Sequence, residues 1–71
     1  MHRLKLTRWN RIRTVEALLR LLRDTHRVHI GWEKGRFSGV FLVSVEGEDE
    51  EACVRRLRDF CADTQWVIED A

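Results

Sequence analysis

Hydrophobic and polar residues alternate in four short stretches of this chain, and a period of two is typical of β-strands with one buried face. The stretches cover residues 4–7, 28–32, 37–45 and 65–69. The third is the most apolar, which predicts a strand in the middle of a sheet. In the last stretch the alternation predicts that Trp66 and Ile68 point inward.

Two stretches with helical spacing lie between these strands. Apolar residues recur at positions i, i+3, i+4 and i+7 within residues 15–22, which predicts an amphipathic helix. Ala17 and Leu21 are expected to widen its buried stripe. Asp49, followed by two glutamates, is typical of the start of a second helix. The buried stripe predicted for this second helix consists of Cys53, Leu57, Phe60 and Cys61, with Val54 beside it.

The second and third strands are predicted to form a hairpin. Lys34 and Gly35 fit a two-residue loop, because glycine supplies the positive φ that such turns require. This loop sets a register in which apolar residues meet on one face. The opposed pairs would be Trp32 with Phe37, Ile30 with Gly39, Val28 with Phe41 and, on the other face, Glu33 with Arg36.

The resulting element order is βαββαβ. Because crossover connections are right-handed, this order favours a four-stranded antiparallel sheet with strand order 4-1-3-2 and both helices on one face. The prediction is therefore an α+β, ferredoxin-like fold formed by a single domain over residues 1–71.

Size and composition are typical of a small globular domain, with 71 residues, 44% hydrophobic and 35% charged. No apolar run approaches the ~20 residues of a membrane span, and no signal-peptide pattern follows Met1. We therefore expect a cytoplasmic protein without a membrane partner. Cys53 and Cys61 would lie about 12 Å apart on one helix, too far for a disulfide, which predicts reduced thiols in the core.

Charge is divided sharply along the chain. Residues 1–36 carry ten Lys or Arg against three acids, and residues 37–71 carry three against nine. The acidic run at 46–51 has a structural explanation, since each carboxylate near a helix N-terminus is stabilised by roughly 0.3–1 kcal/mol. In the predicted topology the first strand–helix connection and the hairpin meet at the other end of the sheet. This basic end would gather Arg8, Trp9, Arg11, Arg13, Lys34 and Arg36.

The basic end is a candidate anion-binding or partner-binding site. Arg11 and Arg13 lie at or just before the first helix, where the helix dipole disfavours cations. Free backbone N–H groups and guanidinium groups together suit an acidic protein surface, a phosphate or a nucleic-acid backbone. The alternative is a solvated arginine cluster with no ligand. Trp9 either stacks on a ligand or caps the core.

The sheet face away from the helices is a second candidate site, and Lys5, Val40, Leu42 and Val67 are expected on it. Aliphatic residues at the middle of an open sheet predict a covered surface, most simply a two-fold dimer packed sheet on sheet. The alternative is a mildly apolar face left in solvent, since isolated exposed aliphatic residues are ordinary.

Residues 35–45 resemble the third strand of an RNA recognition motif, and residues 50–52 resemble the start of its second helix. Gly39 and Val43 match that family's strand signature, which places aromatic residues where RNA bases stack. The chain also resembles ACT-like regulatory domains, which share the fold, bind small effectors and pair through their sheets. The stacking positions hold no aromatic residue in this sequence: they are Lys5, Val40 and Leu42.

The chain has no signature of catalysis or of a cofactor. His26 and His29 have an H-x-x-H spacing without a third ligand nearby in sequence, so no metal is expected. There is no glycine-rich phosphate loop, and Ser38 and Ser44 have no nucleophile signature. We therefore expect a non-catalytic binding module that acts through protein–protein contacts, as a regulatory domain or by pairing with itself. The alternative is an RNA- or DNA-binding domain that uses the basic end.

Overall fold

The structure is a computed structural model, and it describes residues 1–7, 12–35 and 39–71. Its elements follow the βαββαβ order that the sequence pattern predicts. They are β1 (His2–Thr7), α1 (Ile12–Thr25), β2 (Val28–Lys34), β3 (Val40–Gly47), α2 (Glu50–Thr64) and β4 (Val67–Asp70).

The four strands form one antiparallel sheet with the order β2-β3-β1-β4, which is the predicted order read from the other edge. β3 lies inside the sheet, as its apolar sequence predicts. Both helices pack against the same strand face, because their buried side chains share one core with it. The predicted α+β, ferredoxin-like fold is confirmed. The core includes Leu4, Leu6, Val15, Leu19, Leu22, Phe41, Val43, Val45, Cys53, Leu57 and Cys61.

The predicted two-residue hairpin between β2 and β3 is wrong. Lys34 belongs to β2 and pairs with Phe41, and the Gly35 N–H donates a hydrogen bond to the Val40 carbonyl at 2.8 Å. Alternation specifies only which residues share a face, so any even shift along β3 satisfies it. The observed register pairs β2 with residues 41–47 of β3, whereas the predicted register would leave residues 42–47 without a partner on that edge. Ile30 is therefore opposite Val45 and not Gly39, Trp32 opposite Val43 and not Phe37, and Glu33 opposite Leu42 and not Arg36.

The helices bury the predicted residues with one correction. Val15, Leu19 and Leu22 of α1 are fully buried, whereas Ala17 and Leu21 are exposed and do not widen the stripe. Successive residues lie about 100° apart around a helix, so the position before Leu22 turns away from the sheet. The stripe predicted for α2 is confirmed: Cys53, Val54, Leu57 and Cys61 are buried and Phe60 is half-buried.

The start of β4 also matches the alternation. Trp66 is buried, and its ring centroid lies 6.0 Å from that of Phe41. Ile68 packs partly buried against the core, while Val67 between them is exposed. The inward positions predicted for this strand are therefore confirmed.

The connection before β2 and the connection after β3 meet closely at Arg27. Gly47 has φ 142°, and a Cβ at this position would lie 2.5 Å from the Arg27 carbonyl oxygen, so glycine is required there. Asp49 is the N-cap residue of α2, as predicted, but its carboxylate makes no capping bond to the described first turn. It accepts a hydrogen bond from the Arg27 N–H at 2.7 Å instead.

Candidate functional site

The sheet face opposite the helices presents its side chains in rows that run across the strands. The strand pairing defines four of them, and the one at the Gly47 end of the sheet consists of His29 and Glu46. The charged row consists of Glu33, Leu42, Lys5 and Glu69, on β2, β3, β1 and β4 in turn. The apolar row consists of Val40, Thr7 and Val67, and the groove row consists of Gly31, Ser44 and Arg3.

The four residues predicted for a sheet-face interface all lie on this open face. Leu42 is 40% exposed and sits in the middle of the charged row, directly beside Lys5. Val67 is 52% exposed, and Val40 is half-buried. Thr7 lies between these two valines and pairs with both. The aliphatic residues therefore form a strip on β3 with one further member on β4.

The charged side chains of the charged row and the groove row have no ionic partner among the described residues. Within residues 1–7, 12–35 and 39–71, no ion pair involves Lys5, Arg3, Glu33 or Glu69. Lys5 stands between Leu42 and Glu69, and Glu33 stands on the far side of Leu42. Opposite charges thus flank an exposed leucine on both sides.

An open groove of about 580 Å³ follows the groove row across the sheet. Gly31 contributes no side chain to its floor, and Ser44 contributes a hydroxyl that donates a hydrogen bond to the Gly31 carbonyl at 3.5 Å. Arg3 is the long side chain of this row. Leu42 and Glu33 border the groove from the charged row. The open face therefore has a ridge of larger side chains beside a depression.

The basic end falls mostly outside the described residues, which leaves Arg8, Trp9, Arg11 and Arg36 without a structural account. Of the predicted set, Arg13 lies in the first turn of α1 and Lys34 ends β2. The Lys34 ammonium contacts the Glu16 carboxylate at 2.9 Å, and Arg20 contacts the same carboxylate at 3.7 Å. The hydrogen bond from Lys34 lowers the pKa of Glu16, and the charge of Arg13 adds to that effect. Glu16 is therefore an internal counter-ion at this end of the sheet.

The acidic end also contains cations. Arg27 contacts Glu48 at 2.9 Å and Asp49 at 3.4 Å, although it comes from the basic half of the chain. Hydrogen bonds from the Arg27 backbone and guanidinium lower the pKa of Asp49. Two further pairs join Glu50 to the Met1 amino group and Asp70 to Arg58, each at 3.2 Å. Folding thus neutralises part of the charge division seen in the sequence.

Sequence reasoning did not include Glu33, Glu69 or Gly31 among the candidate residues of the open face. Glu33 was expected opposite Arg36, but the observed register sets it beside Leu42. Glu69 lies beside Lys5, and Gly31 forms the floor of the groove. The alternation predicts that these residues share one face, but their row positions depend on strand register. Predicting a longer connection between β2 and β3 would have led to the observed register.

Three observations concern the metal-ligating side chains, the thiols and the helices. No cluster of three or more His, Cys, Asp or Glu within the described ranges could hold a metal ion. Cys53 and Cys61 are free and buried, as predicted, and burial raises the pKa of both thiols, that of Cys61 to about 11. Neither described helix has the length and apolarity needed to cross a membrane.

Comparisons of the chain with protein-family models, with curated proteins and with solved structures find no match.

Proposed function

We propose that this protein is a non-catalytic binding module that acts through protein–protein contacts, and that its open sheet face pairs with a second copy of the chain. One observation carries the proposal: an exposed leucine at the centre of the sheet stands between charges of opposite sign that have no ionic partner among the described residues. Leu42 has Lys5 on one side and Glu33 on the other. A surface that holds both charges can complement itself.

The chemistry of the face favours another copy over a strongly charged partner. The charged row and the groove row contain two cations, Lys5 and Arg3, and two anions, Glu33 and Glu69. An interface related by a two-fold axis opposes a patch to itself, so a patch with balanced charges and an apolar centre satisfies both partners. A nucleic acid would instead require an excess of cations.

The size of the face predicts a weak dimer. Four strands about 4.8 Å apart and roughly 20 Å long offer a footprint of roughly 400 Å² per copy. Because this footprint covers the whole face, the total is at most roughly 800 Å², below the ~1,200–2,000 Å² of stable complexes and in the range of weak, transient contacts. The aliphatic residues that this face offers are Leu42 and Val40 on β3 and Val67 on β4. Association should therefore depend on concentration and exchange rapidly.

The resemblance to ACT-like domains supports the same proposal, because those domains pair through their sheets. The resemblance to RNA recognition motifs gives little support to RNA binding by this face, because its stacking positions hold Lys5, Val40 and Leu42 and no aromatic residue. At the basic end, Glu16 already neutralises Lys34.

Sedimentation velocity tests the proposal across chain concentrations from about 10 μM to about 1 mM. We expect the wild type to shift from monomer towards dimer. Leu42→Glu should stay monomeric, because dimerisation would bury its carboxylate at the centre of the interface without a partner. Leu21→Glu is the matched control, since Leu21 is a 51% exposed leucine on α1, away from the sheet.

A wild type that remains monomeric over the whole range would refute the proposal, as would equal behaviour of the two glutamate variants. Binding to an oligonucleotide is measured in parallel. Tight binding that weakens steeply with salt, combined with a monomeric chain, would favour the nucleic-acid function, since each neutralised duplex phosphate contributes a log–log slope of about −0.9.

A further inference from the structure

We infer that the two copies pack with the two-fold axis along β3, so that Lys5 of each copy faces Glu33 of the partner subunit across the interface. This inference rests on the proposed function and specifies the contacts of the same face. We compare three placements of the axis for sheet-on-sheet packing, and the row positions of the charges distinguish them.

The first placement runs the axis across the strands, between the charged row and the groove row. Each strand then lies over the same strand of the partner, and the charged row of one copy lies over the groove row of the other. Lys5 would lie over the partner's Arg3, because both residues are on β1 two positions apart. Two cations would face each other at both symmetry-related points, so charge disfavours this arrangement.

The second placement runs the axis along the strands, between β3 and β1. It brings β2 over the β4 of the other copy and β3 over its β1. Glu33 would then lie over the partner's Glu69, and Leu42 would lie over the partner's Lys5. This arrangement opposes two anions and sets an apolar side chain against a cation.

The third placement runs the axis along β3 itself and opposes β2 of one copy to β1 of the other. Leu42 then meets its own copy, as does Val40, and the aliphatic strip of β3 is buried at the centre. Lys5 faces the partner's Glu33 on one side of the strip, and Glu33 faces the partner's Lys5 on the other. This is the placement that matches unlike charges and opposes apolar side chains.

The groove supports the same placement. Arg3 and Gly31 occupy the groove row on β1 and β2, on opposite sides of Ser44. With the axis along β3, the long side chain of Arg3 lies over the partner's Gly31, where the sheet has no side chain. The depression of one copy therefore takes the largest side chain of the other, at two equivalent points.

The distances are also compatible. Sheets packed face to face lie about 10 Å apart, which extended lysine and glutamate side chains span together. Aligned sheets cross at about 30°, so contacts are closest near Leu42 and diverge along the strand. Glu46 lies four residues from Leu42 on β3. Because the sheets cross, it is offset sideways by about 7 Å from the partner's Glu46. The like charges at that position are thereby separated.

Charge reversal tests the register. Lys5→Glu and Glu33→Lys should each raise the dimer dissociation constant roughly tenfold or more, because two attractive pairs become repulsive. The double variant Lys5→Glu/Glu33→Lys restores unlike charges across the interface and should recover most of the wild-type affinity. Glu69→Lys is the matched control, since it lies in the same row beside Lys5 but beyond the contact. Circular dichroism of each variant checks that it is folded.

The outcomes separate the register from the proposed function. If the wild type dimerises but Lys5→Glu weakens it no more than Glu69→Lys, or the double variant does not recover, the register is wrong and the dimer stands. Tighter dimerisation of both Glu33→Lys and Glu69→Lys would point to the axis between β3 and β1, where these two glutamates face each other. If the wild type does not dimerise, both proposals are overturned.

Discussion

Substituting Gly47 by alanine should destabilise the fold strongly, because no side chain fits at this position. Gly47 pairs with Val28 at the end of the β2–β3 ladder and has φ 142°. An added Cβ would lie 2.5 Å from the Arg27 carbonyl oxygen and 2.9 Å from the Val28 Cα. Both atoms belong to the backbone, so relief requires the chain itself to move.

The size of the effect follows from these two features. A non-glycine residue held in a sparsely populated backbone region costs about 1–3 kcal/mol, and displacing the Arg27 backbone adds to that cost. We expect a loss of about 2–4 kcal/mol for Gly47→Ala. A domain of this length has a total stability of roughly 4–10 kcal/mol, so the variant should lose a large part of it.

Urea unfolding followed by circular dichroism, at a concentration where the chain is monomeric, measures this loss as a lower midpoint. Gly31→Ala is the matched control, since Gly31 lies in the same strand pair and its Cβ would meet only the rotatable Ser44 hydroxyl, at 3.1 Å. We expect that variant to change stability by no more than about 0.5 kcal/mol. Equal midpoints for the two variants would show that the approach between Gly47 and Arg27 does not exist.

Two further predictions concern titratable groups. The folded-state pKa of Asp49 is lowered from 3.8 by Arg27, so ionised Asp49 stabilises the fold above its unfolded pKa, and this contribution is lost as pH falls through the lower folded value. Asp49→Asn should therefore be less stable than wild type at neutral pH, with a gap in urea midpoint that closes in acid; a gap independent of pH would contradict this. Burial raises the pKa of Cys61 to about 11, so at pH 8 its alkylation should be at least about 100-fold slower than that of a free thiol with pKa near 8.5. Labelling of the native protein at the free-thiol rate would rule out this burial, and urea should abolish the protection.

The order of elements and the faces of the strands were predictable from the sequence. Both follow from local periodicity: residues 15–22 repeat with helical spacing, and the strand stretches alternate with a period of two. The apolar composition of the third stretch predicted that its strand lies inside the sheet. The same periodicity assigned Lys5, Val40, Leu42 and Val67 to one face, where the structure has them.

Neighbours across the open face could not be predicted in the same way. Alternation is unchanged by a shift of two, four or six residues, so it could not distinguish Phe37 from Val43 as the partner of Trp32. The two registers differ in whether β3 is paired as far as Gly47, and only the observed one pairs it that far. In the observed register the cross-strand neighbour of Glu33 is Leu42, whereas the predicted neighbour is Arg36. The charge pattern of the candidate interface depends on this difference.

Hydrogen bonds and ion pairs between residues distant in sequence could not be predicted from local periodicity either. Arg27 and Asp49 are 22 residues apart, yet the Arg27 N–H is 2.7 Å from the Asp49 carboxylate. Lys34 finds Glu16 across the α1–β2 packing. Periodicity reports which way a side chain faces along its own element, whereas the identity of the group it meets depends on how the elements close upon one another. For this chain, the first kind of information determined the fold and the second determined the charge pattern of its surface.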